Sequence, residues 1–157
     1  MSQFSTFRLG DRLFGLDLMV IREINRILDI TPVPHGREHI RGLINLRGQI
    51  VTIIDLAVRL GLPPPPITDG SHNIILKTEG ELAAIRRTDS CKRLTTSVDL
   101  VGFLVDSIGD VVEADESSID PPSANVSEAE GRFLAGVIKT DAGLLVLLDI
   151  KEILSPD

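Results

Sequence analysis

The sequence predicts an all-β fold with a few short helices, built from a duplicated unit into paired small β-barrels. Three observations carry this. The chain repeats itself at a nearly constant spacing. Its apolar residues fall in short runs separated by Gly-containing turns, as short strands do. The clearest helix starts, at Asp55 and Asp149, precede only brief stretches.

The repeat is clearest between residues 40–56 (IRGLINLRGQIVTIIDL) and 134–150 (LAGVIKTDAGLLVLLDI), a shift of 94 positions. Eight of the 17 aligned positions are apolar in both, against about three expected by chance at 43% apolar. Gly42 meets Gly136 and Asp55 meets Asp149. Earlier landmarks follow in the same order: Phe14-Gly15-Leu16 with Val101-Gly102-Phe103, then Ile30-Thr31-Pro32 with Ile119-Asp120-Pro121. A unit of about 60 residues therefore occurs twice.

Taken in order, Gln3–Leu9 and Phe14–Leu18 read as strands around a Gly10-Asp11 turn. Ile21, Ile24, Ile27 and Leu28 recur at helical spacing, but Arg22, Glu23 and Arg26 interrupt them. Gly42–Leu46 and Gln49–Ile54 flank a hairpin turn at Arg47-Gly48. Ile50–Ile54 and Leu144–Leu148 are apolar at nearly every position, which predicts burial on both faces. Helix propensity alone would also allow LLVLL to be helical; its pairing with IVTII and the preceding Gly143 favour a strand. Asp55 suits the N-cap of a short helix ending before Gly61, and Asp149 with Glu152 resembles a capping box. The expected division is a first barrel in 1–62, a Pro-rich linker in 63–72 and a second barrel in 73–157, with strand exchange possible. Residues 81–97, with Arg86, Arg87, Lys92 and Arg93 at the tip, read as an inserted, exposed loop.

Composition narrows the function. At 157 residues, folding should bury about 69% of the unfolded surface, enough for a self-supporting core. No apolar run approaches the roughly 20 residues of a membrane helix, so direct membrane insertion is not expected. The N-terminus lacks the basic-then-apolar pattern of a signal peptide. A single cysteine, Cys91, permits no internal disulfide and suggests a reducing, cytoplasmic setting. The net charge of −7 and the absence of Trp and Tyr argue against nucleic acid as a partner. Charge is segregated: 1–62 carries a net +2, 63–97 a net +1 and 98–157 a net −10. Such a dipolar chain suits orientation in an assembly, or simply solubility.

Chemistry finds little purchase. His35-Gly36-Arg37-Glu38-His39 fits the H-x-x-E-H pattern of a small metallohydrolase, but Pro32, Pro34 and Gly36 oppose the sustained helix it needs. An exposed turn is the simpler reading. His72 sits in the linker and is expected to be solvated. Basic neighbours would activate Cys91, yet no base and orienting group accompany it, which leaves a plain loop thiol. Neither a P-loop nor a G-x-G-x-x-G motif occurs. No catalytic residues and no cofactor are expected. Arg47 at the tip of its hairpin suits bidentate pairing with a carboxylate, Glu23 being the candidate across the first unit. An ordinary surface salt bridge is the alternative. The second unit carries Asp141 in the place of Arg47.

FRLGDRLFGLDLMVIREI, ITPVP and IRGLINLRGQIVTIIDLAVRLG, followed by VGFLVDSIGDVV and FLAGVIKTDAGLLVLLDIKEIL, resemble the CheW-like coupling proteins of bacterial chemotaxis over most of the chain. The resemblance implies two SH3-like five-stranded barrels on a shared apolar core. It further implies a non-enzymatic adaptor that couples transmembrane chemoreceptor tips to the regulatory domain of the histidine kinase CheA. Such a protein would be cytoplasmic and recruited to membrane receptor arrays. Residue by residue, it places a receptor-contacting strip at Ile21, Glu23 and Ile24, with Val105 and Ile108 across the groove. Gly42, Asn45 and Arg47 fall on the family's partner-binding turn. The 81–97 segment and Arg22 depart from the family pattern. An adaptor of a twitching or developmental pathway would carry the same motifs.

Overall fold

The computed structural model describes residues 2–26, 29–33, 37–63, 66–86, 99–121, 132–141 and 143–155. Strands β1 (Ser2–Leu9), β2 (Arg12–Asp17), β3 (Ile21–Arg26), β4 (Ile40–Leu46) and β5 (Gln49–Asp55) lead into helix α1 (Leu56–Arg59). Then come β6 (His72–Leu76), helix α2 (Glu79–Arg86), β7 (Val101–Val105) and β8 (Ser107–Ala114). Finally β9 (Leu134–Thr140) and β10 (Gly143–Leu148) precede helix α3 (Ile150–Leu154).

The ten strands form two five-stranded sheets, β8-β1-β2-β10-β9 and β3-β6-β7-β5-β4. Neither sheet is a contiguous stretch of chain. Each takes two strands from one repeat and three from the other, so the barrels do not divide into 1–62 and 73–157. Two parallel pairings stitch them, β2 with β10 and β5 with β7. The register obeys the repeat: Gly15 lies beside Leu147 as Gly102 lies beside Ile53. Both glycines permit close packing. A Cβ at Gly15 would meet Leu147 Cδ2 at 3.2 Å, and one at Gly102 would meet Ile53 Cδ1 at 2.9 Å. The segments 40–56 and 134–150 thus occupy equivalent places.

The core has three parts. A large cluster including Phe7, Phe14, Leu16, Ile74, Leu76 and Phe103 lies between the sheets and draws on both. Two smaller clusters belong to one sheet each, around Leu145 in the first and Ile53 in the second. Face alternation along β6 explains the sharing: Ile74 and Leu76 face the common cluster, while Ile75 faces the private one.

Local signals act as their chemistry predicts, with four departures. Asp55 Oδ1 accepts from Val58 N at 3.3 Å and caps α1. Asp149 Oδ1 likewise accepts from Glu152 N at 3.3 Å, but the reciprocal half of a capping box is not made. The Asp149 N–H is spent on the Phe133 carbonyl, and Glu152 pairs with Arg132 at 2.9 Å. The apolar runs are not buried throughout: Ile50 and Leu144 are each 60% exposed. Both start just past a hairpin tip, where the sheet no longer has cover. His72 belongs to β6 rather than to the linker, and its Nδ1 lies 2.7 Å from the Gly70 carbonyl oxygen.

The fourth departure concerns the inserted loop. Residues 81–86 are the body of α2, and Leu82 is fully buried in the common cluster. Thr78 and Glu81 cap the helix start, with Glu81 Oε1 3.0 Å from Thr78 N. The run Leu82-Ala83-Ala84-Ile85 is a single apolar stretch with no repeat at helical spacing, too short a signal for a two-turn helix. Residues 87–97, with most of the basic tip, lie outside the described residues. Leu82→Ala is expected to cost about 2–4 kcal/mol, read as a lower urea midpoint at constant slope. A change below about 0.5 kcal/mol would restore the exposed-loop reading.

Candidate functional site

The site is assembled from an edge strand and a hairpin tip. β3 pairs with β6 and forms one edge of the second sheet among the described residues. A bulge between Ile21 and Glu23 interrupts its ladder one residue before Ile24. The tip between β4 and β5 is a two-residue turn with φ of +52° at Arg47 and +86° at Gly48. Positive φ at both central residues marks the turn whose twist fits a hairpin. Asn45 Oδ1 accepts from Gly48 N at 2.9 Å and closes it.

Arg47 and Glu23 meet, as their placement in the sequence suggests. Arg47 Nη2 donates to Glu23 Oε1 at 2.8 Å and to Oε2 at 2.7 Å. Asn25 Nδ2 donates to Glu23 Oε1 at 2.9 Å from two residues along the strand. The Arg47 side chain is nonetheless 66% exposed. The contact with Glu23 runs through Nη2. The pair latches the β4–β5 tip to the β3 edge and holds a cation in view of solvent.

The Asn25 amide, and after it the Arg47 guanidinium, hold the Glu23 carboxyl below its usual range. A carboxylate depressed in the folded state contributes stability above its unfolded pKa and loses it as pH falls through the folded pKa. Glu23→Gln is therefore expected to cost less than about 1 kcal/mol near neutral pH. The gap between the two proteins should close as pH drops below the usual glutamate range, near 4.5. Paired melts from pH 7 to about 3 check this, and a gap that widened in acid would contradict it.

The remaining receptor-strip residues do not form one accessible row. Val105 is 1% exposed and Ile21 8% exposed, both within the common cluster. β7 is an interior strand, so Val105 cannot line an open groove. Ile24 and Ile108 are half-buried and pack on the rim of that cluster, one from each sheet's edge strand. Gly42 is buried in β4 beneath Thr31. Asn25 and Ile50 join the site without a sequence motif to flag them; Ile50 is the exposed apolar shoulder beside the Arg47 turn.

Among the described residues no group of three His, Cys, Asp or Glu side chains could hold a metal. His35 and Cys91 lie outside those residues, and the carbonyl of His39 accepts from Asp55 N at 2.7 Å. Among the described residues no helix is long and apolar enough to cross a membrane.

Comparison with known proteins gives one answer. The probable chemotaxis protein CheW of Rhizobium etli is 33% identical over 95% of this chain and 84% of its own length. Chemotaxis protein CheW of Thermotoga maritima is 31% identical over 95% of the chain and 85% of its own length. The crystal structure of the scaffolding protein TtCheW from Thermoanaerobacter tengcongensis superposes with a TM-score of 0.80 at 28% identity. It covers 99% of this chain and 89% of that one. The CheW-like domain model matches residues 3–157. With the two strand-exchanged sheets and the latched hairpin in place, the chain belongs to the CheW-like domain family.

Proposed function

We propose that this protein is a non-catalytic adaptor that couples transmembrane chemoreceptors to the histidine kinase CheA in chemotaxis. It works in the cytoplasm and is recruited to membrane receptor arrays. The carrying observation is the exposed Arg47 guanidinium, fixed on an edge strand by Glu23 and flanked by exposed Ile50. Interfaces draw much of their energy from such arginine and apolar anchors. The chemotaxis names of the relatives and the scaffold role of the structural neighbour support the same reading. Receptor contact is assigned to Glu23 and Ile24 with Ile108 at the cluster rim, and kinase or receptor contact to the Asn45–Arg47 turn.

Titrating the protein separately with a soluble receptor cytoplasmic tip and with the kinase regulatory domain tests this. Saturable binding to both, at sites that do not compete, is expected. Binding to neither would remove the proposal.

A further inference from the structure

Two asparagines stand opposite each other on the second sheet, one partnered and one not. Asn25 on β3 pairs in register with Asn73 on β6. Directly opposite residues share a face, with Cβ atoms about 4.5–5.5 Å apart, so side-chain rotation alone brings the two amides together. The face is the one that carries the second sheet's own cluster. Asn73 has Ile75 beside it along the strand and Leu104 across from it on β7, both members of that cluster.

Asn73 is 0% exposed, yet among the described residues neither its Nδ2 nor its Oδ1 has a hydrogen-bond partner. A buried amide left in that condition is costly and uncommon in native proteins. Its cross-strand neighbours in register are Leu104 and Asn25, and only the second can bond. The Asn25 amide is engaged elsewhere, donating from Nδ2 to Glu23 Oε1 at 2.9 Å. That same oxygen accepts from Arg47 Nη2 at 2.8 Å. Half-buried Asn25 thus stands between the exposed latch and an unsatisfied amide in the core.

We propose that Asn25 is a positioning residue with two stations. With the latch closed, its amide steadies Glu23 and through it the Arg47 guanidinium. When a hydrogen-bond donor from a partner protein takes Glu23 Oε1, the displaced amide turns onto Asn73. An amide both donates and accepts, so the Asn25–Asn73 pair forms in either sense. The bond gained in the core offsets the one lost at the surface, which makes Glu23 an exchangeable contact. A ligand shifts an equilibrium only through a difference between two states, and the partnering of Asn73 is that difference. Use of the switch by a partner rests on the assignment of Glu23 as a receptor contact; the exchange between stations does not.

The test is a double-mutant cycle of Asn25→Ala with Asn73→Val, read from urea unfolding of the full chain in three backgrounds. In wild type the two side chains do not bond, and a coupling below about twofold in the unfolding constant is expected. Glu23→Ala frees Asn25, and there the coupling should rise to about fivefold, the worth of one hydrogen bond. Glu23→Gln keeps an acceptor oxygen and should behave as wild type. Equal coupling in all three backgrounds, or none in Glu23→Ala, would overturn the proposal. A second arm titrates the receptor tip. Asn73→Val removes the inner station and should weaken tip binding about fivefold without lowering the urea midpoint. Unchanged affinity, where wild type binds the tip, would overturn the partner-driven exchange, as would a clear fall in midpoint. A wild-type protein that does not bind the tip would instead remove the receptor reading, and the cycle would still decide the exchange.

Discussion

Replacing Gly42 by alanine is expected to destabilise the protein by about 2–6 kcal/mol. Gly42 has φ +152°, where an L side chain is strained by about 1–3 kcal/mol. Its Cβ would fall well inside contact with the Thr31 carbonyl oxygen and 2.7 Å from Ile30 Cγ2. Thr31 cannot step aside, since its N–H and carbonyl both bond to Leu43 at 2.8 Å. Overpacking against backbone adds about 1–3 kcal/mol more. Gly136, its counterpart, should tolerate alanine better. There the close atom is Ile119 Cγ2 at 2.5 Å, the end of a side chain, and the Asp120 carbonyl oxygen is 3.1 Å away. Urea midpoints of the two variants measure the difference. A Gly42→Ala protein as stable as wild type, but blind to the kinase, would show that this glycine serves the partner rather than the fold.

Arg47→Asp is expected to weaken association with receptor or kinase by about 2 kcal/mol or more, roughly a 30-fold loss. The substitution removes the exposed cation and sets a carboxylate beside Glu23. Stability should change little, because exposed ion pairs are worth about 0–1 kcal/mol. Aspartate also tolerates the left-handed backbone of that turn position. Binding titrations with melts alongside separate the outcomes. Unchanged affinity for both partners would sink the assignment. A collapsed melt would instead make Arg47 a structural latch for the β3 edge.

How much could be read from the residues follows from how local each signal is. Turns at Gly10 and Arg47-Gly48, and the caps at Asp55 and Asp149, depend on a few adjacent residues, and all form. The repeat was visible because equivalent strands need the same apolar faces and the same two close-packing glycines. The pairing of β2 with β10, more than 120 positions apart, is set by burial of the common cluster. No window of sequence encodes it, and hence the barrels could not be divided correctly at the linker. At the site, the Arg47–Glu23 pair was legible because opposite charges stood on an edge strand and a rigid tip. Accessibility was not. Ile21 and Val105 look like any other apolar strand residues, and only the fold shows that both are buried.

The most direct test of the coupling account is retention of the kinase on receptor-bearing membranes as this protein is added. The account predicts that kinase sedimenting with those membranes rises with the adaptor and then saturates. Arg47→Asp should shift that curve to about 30-fold higher concentration. Kinase retention that is the same with and without the protein would contradict it.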